Sequence, residues 1–428
     1  MVRGTLSTAV VRLVMAAASF VTLGIAARGL TPDEFGLVAV MSSIVLLLMM
    51  FDFGIGGALT MRVATSHGND DLLAIRGHVN NALVGLTVVG TVIALGGAVS
   101  AVTMPWHAWT GGPLDVSTVT RCLVVTFVIG GASLPGAAGL VTLSAMQRFT
   151  AAQMSIAAGS VGAVVTTAVV APFDPPPEVF LLTILGSPLV VSLAFTLWTR
   201  FGVLGGLGSS AFDRSGMAEM LRVSGWYAIY TVANTVTIGT GTMVVGSVLS
   251  LAEAGIFNVA VRLFTPVITV VTASGAQLRP GMTEALARGD VAWARSRYRR
   301  GLFAAAAAST VISLVLVVLG RWFARIWVGE DLVPPLSLLA WSAAFTIILS
   351  IAAQYAILIL AVERIRPAAA LAVCTAAAAI GGSVVLARAV GLDGAMIAAV
   401  AAILLIFIPG ITYLSRDTLR SLDAIGAD

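Results

Sequence analysis

Two arginines lie where a charge is expensive. Arg12 is six residues into the apolar run Leu6–Arg28, and Arg262 is seven residues past Gly255 in the run Gly255–Leu278. A charged side chain at the centre of a membrane helix costs about 2.5–3.5 kcal/mol on insertion scales, so each needs an anion, a watery surface or a way out. Arg12 is near enough to the start of its segment to reach back to the interface. It could equally face a wet cavity and bind an anion. Arg262 lies deeper and has no obvious helix-mate of opposite charge. Its alternatives are the wall of a wet cavity and an ion pair with Asp52. A guanidinium fork can hold a phosphate by two parallel hydrogen bonds, which an ammonium does less specifically.

Asp52 stands in Phe51-Asp52-Phe53-Gly54-Ile55-Gly56-Gly57. The glycines suggest a bend, with Asp52 capping the second half-helix. Pairing with a cavity arginine and carrying a coupling proton are the other roles open to it. Tyr227, Tyr230, Asn234, Thr237 and Gly241 follow spacings of three and four, so they share one helical face. That face reads as a wall for sugar hydroxyls or as a seam of interhelical hydrogen bonds. Gln277 and Gln354 are weaker candidates of the same kind. His67, His78 and His107 are too scattered for a metal site, and a chain without lysine has no phosphate loop ending in Lys. No acidic pair lies in a helix or a sizeable outer loop, as lipid-dependent glycosyl transfer would require. The expectation is binding and movement: no catalytic residues, no metal, no cofactor and no enzyme activity.

The elements that position these residues follow from composition. Of 428 residues, 58% are apolar and 10% charged, against about 25% charged in ordinary globular domains. Mean hydropathy is +1.01. So few charges cannot cover a water-facing surface, and the chain reads as an integral membrane protein. Twelve segments are long and apolar enough to span: Leu6–Arg28, Phe35–Met61, Val79–Thr103, Val119–Met146, Ala151–Pro172, Val179–Thr199, Ser224–Ser250, Gly255–Leu278, Gly301–Phe323, Pro335–Val362, Pro367–Ala389 and Gly394–Leu414. All are dense in Ala, Gly, Ser and Thr, which let helices approach closely. No strand-period alternation competes, so the fold class is all-α and a β-barrel is excluded. Arg3 and the Ala26-Ala27 pair mimic a signal peptide, but the first run is long and interrupted by Arg12, so a retained helix is expected. Cys122 and Cys374 lie in apolar runs and imply no disulfide.

All 24 basic residues are arginine. With the N-terminus in the cytoplasm, seventeen fall inside, five outside and two, Arg12 and Arg262, within helices, which predicts an even helix number and two cytoplasmic ends. The basic balance therefore belongs to membrane topology, and no nucleic-acid partner is expected. Arg279–Arg300, with six arginines and Trp293, reads as an amphipathic helix drawn to anionic lipid or as a topology determinant. The expected organisation is a six-helix lobe over 1–200, a Gly-rich linker over 201–223, a second six-helix lobe over 224–414 and a tail over 415–428.

The halves look duplicated. Asp33-Glu34-Phe35-Gly36-Leu37 and Ala252-Glu253-Ala254-Gly255-Ile256 each open a span, and Gln147-Arg148-Phe149 and Glu363-Arg364-Ile365 each follow one, at nearly the same offset. Gly29-Leu30-Thr31-Pro32-Asp33-Glu34-Phe35-Gly36, Phe51-Asp52-Phe53-Gly54, and Gly255 through Leu263 with Pro280 and Gly289-Asp290 resemble the polysaccharide-biosynthesis flippases. These form the oligosaccharide-flippase branch of the multidrug/oligosaccharidyl-lipid/polysaccharide (MOP) exporter superfamily. The resemblance implies two six-helix lobes around a central cavity that opens alternately to each side. It implies a polyprenyl-diphosphate-linked oligosaccharide as substrate, undecaprenyl in such proteins, moved to the outer leaflet of a bacterial cytoplasmic membrane. Membrane lipids and a polysaccharide polymerase or other assembly proteins are the implied partners. Arg12 and Arg262 match the family's arginines in role. The family's Pro near the start of the seventh helix and Asp midway along it are absent, with Trp226 and Gly239–Thr242 there instead. A drug/cation antiporter of the same superfamily is an alternative, opposed by Arg12 and the lack of an acid in the first segment. A lipid II flippase is another, although such proteins usually carry two extra helices. A membrane polymerase or ligase would need larger outer loops.

Overall fold

A computed structural model describes residues 2–106, 114–205, 214–287, 291–361 and 365–425. The chain is nearly all helix, and the described residues contain no strand. The helices are α1 Val2–Gly29, α2 Pro32–Leu48, α3 Ile55–Gly68, α4 Leu72–Thr103, α5 Val116–Ala145 and α6 Phe149–Val170. They continue as α7 Pro177–Val203, α8 Arg214–Val248, α9 Leu251–Ala287, α10 Val291–Val328, α11 Leu336–Ala361, α12 Ile365–Val390 and α13, which starts at Leu392 and ends at Ile425. Among the described residues ten spans are long and apolar enough to cross a membrane, and Val14–Gly29 is a shorter apolar stretch. Each of the twelve predicted segments is occupied by helix, and the second is divided between α2 and α3. The fold is the expected all-α, polytopic one.

The division has a local cause. Phe53 and Gly54 take left-handed φ values of 50° and 79°, which an α-helix cannot continue through. In the second half, α9 runs unbroken through the equivalent stretch. The two halves do share the start of this helix. Thr31 accepts from the Glu34 N–H at 3.4 Å, while the Thr31 N–H donates to the Glu34 carboxylate at 2.9 Å. At the matching offset, Ser250 accepts from the Glu253 N–H and its hydroxyl donates to that carboxylate, both at 3.2 Å. Each is a reciprocal Ser/Thr–Glu cap.

The chain divides into two compact units, residues 1–228 and 229–428, with the boundary inside α8. The expected linker lies partly in helix, because α8 begins at Arg214; residues 206–213 lie outside the described residues.

In the first unit the core joins Leu59 and Val63 of α3, Ile75, Val79 and Leu86 of α4, and Leu134 and Ala138 of α5. Close approach of α4 to α5 depends on glycine. Pro135 has no N–H, so the Gly131 carbonyl loses its regular helical donor. Gly90 faces that carbonyl so closely that a Cβ on it would collide with the oxygen, and a Cβ on Gly131 would collide with the Gly90 carbonyl. A second polar tie joins α5 to α7: Thr196 accepts from the Gly139 N–H at 3.1 Å and donates to the Gly136 carbonyl at 2.7 Å.

In the second unit α9, α10 and α11 approach at Gly320, where an added Cβ would lie 3.3 Å from Leu339 and 4.0 Å from Leu263. Gln354 of α11 is buried and donates to the Val271 carbonyl of α9 at 3.4 Å. Most helical hydroxyls in this protein bond back to the preceding turn, as Thr22, Ser42, Thr126 and Thr142 do. Ser313, Ser342, Thr346 and Ser350 are buried and have no hydrogen-bond partner among the described residues. An unpaired buried hydroxyl costs stability, whereas an apolar isostere costs little. Thr346→Val should therefore leave the melting temperature in detergent unchanged or raise it by a few degrees. A fall of many degrees would show that the hydroxyl is engaged.

Candidate functional site

The best-defined candidate site residue is Arg262. It lies within α9, inside the apolar span Leu251–Val271, and is half-buried. Other arginines have carboxylates: Arg121 pairs with Glu178 at 2.6 Å and Arg325 with Glu330 at 3.1 Å. No ion pair or hydrogen bond joins Arg262 to any described residue. Asp52 accepts from backbone N–H groups of its own segment.

The helical repeat explains the surroundings. At 100° per residue, Asn258, Arg262, Thr265 and Thr269 share one face of α9. The opposite face carries Ala260, Leu263, Val267 and Val271, all buried. Along the polar face exposure rises from Asn258, 5% exposed, through half-buried Arg262 to exposed Thr265 and Thr269. The Asn258 Oδ1 is buried without a hydrogen-bond partner among the described residues. Pro266, four residues after Arg262, has no N–H, so the Arg262 carbonyl lacks its regular helical donor. The face thus presents one cation, one open carboxamide acceptor and a carbonyl short of a donor.

The α8 residues are placed differently. Gly241 abuts the Phe257 ring, with a Cβ there falling 2.8 Å from it. The helices follow each other through a tight turn, and antiparallel register from this contact puts Thr237 level with Val261, one residue from Arg262. Thr237 is buried and donates to the Ala233 carbonyl at 2.9 Å; Asn234 Nδ2 donates to the Tyr230 carbonyl at 2.8 Å. Those donors are engaged within α8, which supports a structural part for them. Tyr230 is half-buried, and Tyr227 is 40% exposed on the first-unit side of the boundary. Arg12 falls in α1, and its side chain lies outside the described residues, as does that of Gln277. Asn258 lies in the Gly255–Leu263 stretch that carries the family resemblance, but its sequence context assigns it no role, and none is assigned to Pro266. An asparagine in a membrane segment is common, and only its burial without a partner singles it out.

Asp52 acts at the break between α2 and α3. Its Oδ1 accepts from the Gly54 N–H at 2.8 Å and its Oδ2 from the Gly56 N–H at 3.1 Å. These N–H groups open α3, where a carboxylate also meets the positive end of the helix dipole. Asp52→Asn replaces one acceptor oxygen by a donor and should cost about 1 kcal/mol, as loss of a cap does. Thermal melting should show it, with the pH dependence of transport unchanged. Loss of pH dependence at full stability would instead make Asp52 a coupling group. Among the described residues no three His, Cys, Asp or Glu side chains gather as a metal site.

Solved structures share this architecture. A multidrug resistance MATE family transporter of the MOP superfamily, in an inward-facing conformation, matches with a TM-score of 0.81 at 14% identity, covering 97% of this chain and 99% of that one. A MATE protein in a bent conformation matches at 0.67 and 14% identity, covering 99% and 97%. A MOP superfamily transporter from Pyrococcus furiosus Vc1, described as having a binding pocket of reversed polarity that suggests a different function, matches with a TM-score of 0.67 at 13% identity, covering 96% of each chain. Comparison with curated proteins finds no match. The fold is therefore that of the MOP transporters, a polytopic helical membrane architecture. The chain belongs to the polysaccharide biosynthesis protein family, whose model matches residues 1–286.

Proposed function

We propose that the protein is a flippase that carries a polyprenyl-diphosphate-linked oligosaccharide from the inner to the outer leaflet of a bacterial cytoplasmic membrane. The observation that carries this reading is Arg262, a half-buried guanidinium in the middle of an apolar span with no described protein partner. A sugar–diphosphate headgroup cannot cross hydrocarbon, because its charges and hydroxyls would lose their water. A cation and open acceptors on a membrane-spanning face replace that water, while the polyprenyl chain stays in lipid. Access alternates between the two sides of the membrane, as in transporters built from repeats. The protein moves its substrate without changing a covalent bond, and Arg12 meets the diphosphate at another stage. Both termini are cytoplasmic, as the arginine distribution favours. A multidrug exporter for cations would present a carboxylate where this face presents Arg262; the reversed pocket polarity described for the Pyrococcus relative supports reading polarity as the discriminator. Deleting the protein should make a lipid-linked oligosaccharide accumulate, detectable by mass spectrometry of membrane lipids. An unchanged lipid-linked sugar pool, together with loss of drug resistance, would favour drug export.

A further inference from the structure

The polar face of α9 carries a second piece of recognition. Asn258 is 5% exposed, and its Oδ1 has no hydrogen-bond partner among the described residues. A buried acceptor left open is costly, so its place in the fold calls for a donor from elsewhere. Phosphate supplies none, since an ionised phosphate only accepts. The donor must be a hydroxyl or an amide N–H. Arg262 lies one turn away, four residues on, which is about 6 Å along the helix axis. Long helical side chains generally lean toward the N-terminal turn, which for Arg262 is the turn that carries Asn258. A cation for phosphate and an acceptor for a hydroxyl, one helical turn apart on the same face, suit a phosphate and the sugar ring attached to it.

We infer that Asn258 reads the first sugar of the substrate, accepting a hydrogen bond from a hydroxyl or acetamido N–H of the residue joined to the diphosphate that Arg262 holds. The inference rests on the flippase reading. It also fixes a direction: the sugar lies toward the N-terminal end of α9 and the polyprenyl-phosphate toward Thr265 and Thr269.

The test is native mass spectrometry of the full-length protein with two probes, undecaprenyl diphosphate and undecaprenyl-diphosphate-linked N-acetylglucosamine. Parent protein should bind both and prefer the sugar-bearing lipid. Asn258→Leu, close in volume but unable to accept, should lower binding of the sugar-bearing lipid about 10-fold and leave the sugar-free lipid unchanged. Asn258→Ala should do the same, so a folding defect in one variant does not decide the matter. Arg262→Gln should weaken both probes together. If both Asn258 variants keep the parent's preference, or lose both lipids equally while remaining folded, the inference fails and the flippase reading stands. If the parent binds neither probe, both fail.

Discussion

Arg262→Ala should abolish transport of lipid-linked oligosaccharide while leaving the protein inserted and folded. The removed group makes no hydrogen bond or ion pair with a described residue, so its loss breaks none of the described polar contacts and removes a charge from an apolar span. Folding should therefore hold or improve. Binding should suffer instead. A bidentate pair of charge-assisted hydrogen bonds at roughly 1.5 kcal/mol each amounts to about 3 kcal/mol, or about 100-fold in affinity for the diphosphate. Arg262→Lys keeps the charge without the fork and should fall between the two. A melting temperature well below the parent's in Arg262→Ala would mean that the arginine is structural. Full affinity for lipid diphosphate would mean that the phosphate is held elsewhere.

The second large effect is on assembly. Gly131→Leu should prevent the first unit from folding, because the new side chain starts in collision with the Gly90 carbonyl and within 3.1 Å of Ala94 backbone and side-chain atoms. Backbone cannot step aside as a flexible side chain can, so the cost should exceed the 1–3 kcal/mol typical of overpacking. Gly90→Leu should behave alike, since the approach is mutual. Gly96→Leu is the control: it lies on α4, is exposed and has nothing within 4 Å of its added Cβ. Size-exclusion profiles in detergent should show a monodisperse peak for Gly96→Leu and aggregate for Gly131→Leu. Equal profiles would contradict the close α4–α5 approach.

How much of this was legible beforehand depends on the kind of signal. Hydropathy places every span, because a membrane helix must be apolar along its length. The bend in the second span shows in its glycines, but its form does not: Phe53 takes the left-handed conformation beside Gly54, and Asp52 ties two N–H groups at once. Local spacing carries the reciprocal caps at Thr31–Glu34 and Ser250–Glu253, and the geometry gives that weak sequence repeat a physical basis. Arg262 stands out in any apolar run. The α8 stripe shows the limit of periodicity, since spacing finds the shared face and cannot tell that Thr237 and Asn234 spend their donors within α8. Asn258 shows the converse, because an acceptor without a donor is a property of packing. The division between units falls inside α8, where no change of composition marks it.

The central claim is that this protein moves a sugar–diphosphate headgroup across a bilayer by offering it the α9 cation. The most direct test is reconstitution of parent and Arg262→Ala proteins in liposomes holding a fluorescent lipid-linked oligosaccharide in the inner leaflet. Outward movement is read by quenching from outside. The account predicts transfer with the parent, little above empty liposomes with Arg262→Ala, and no elongation of the sugar. Equal transfer by the two proteins, or none by a folded parent, would contradict it.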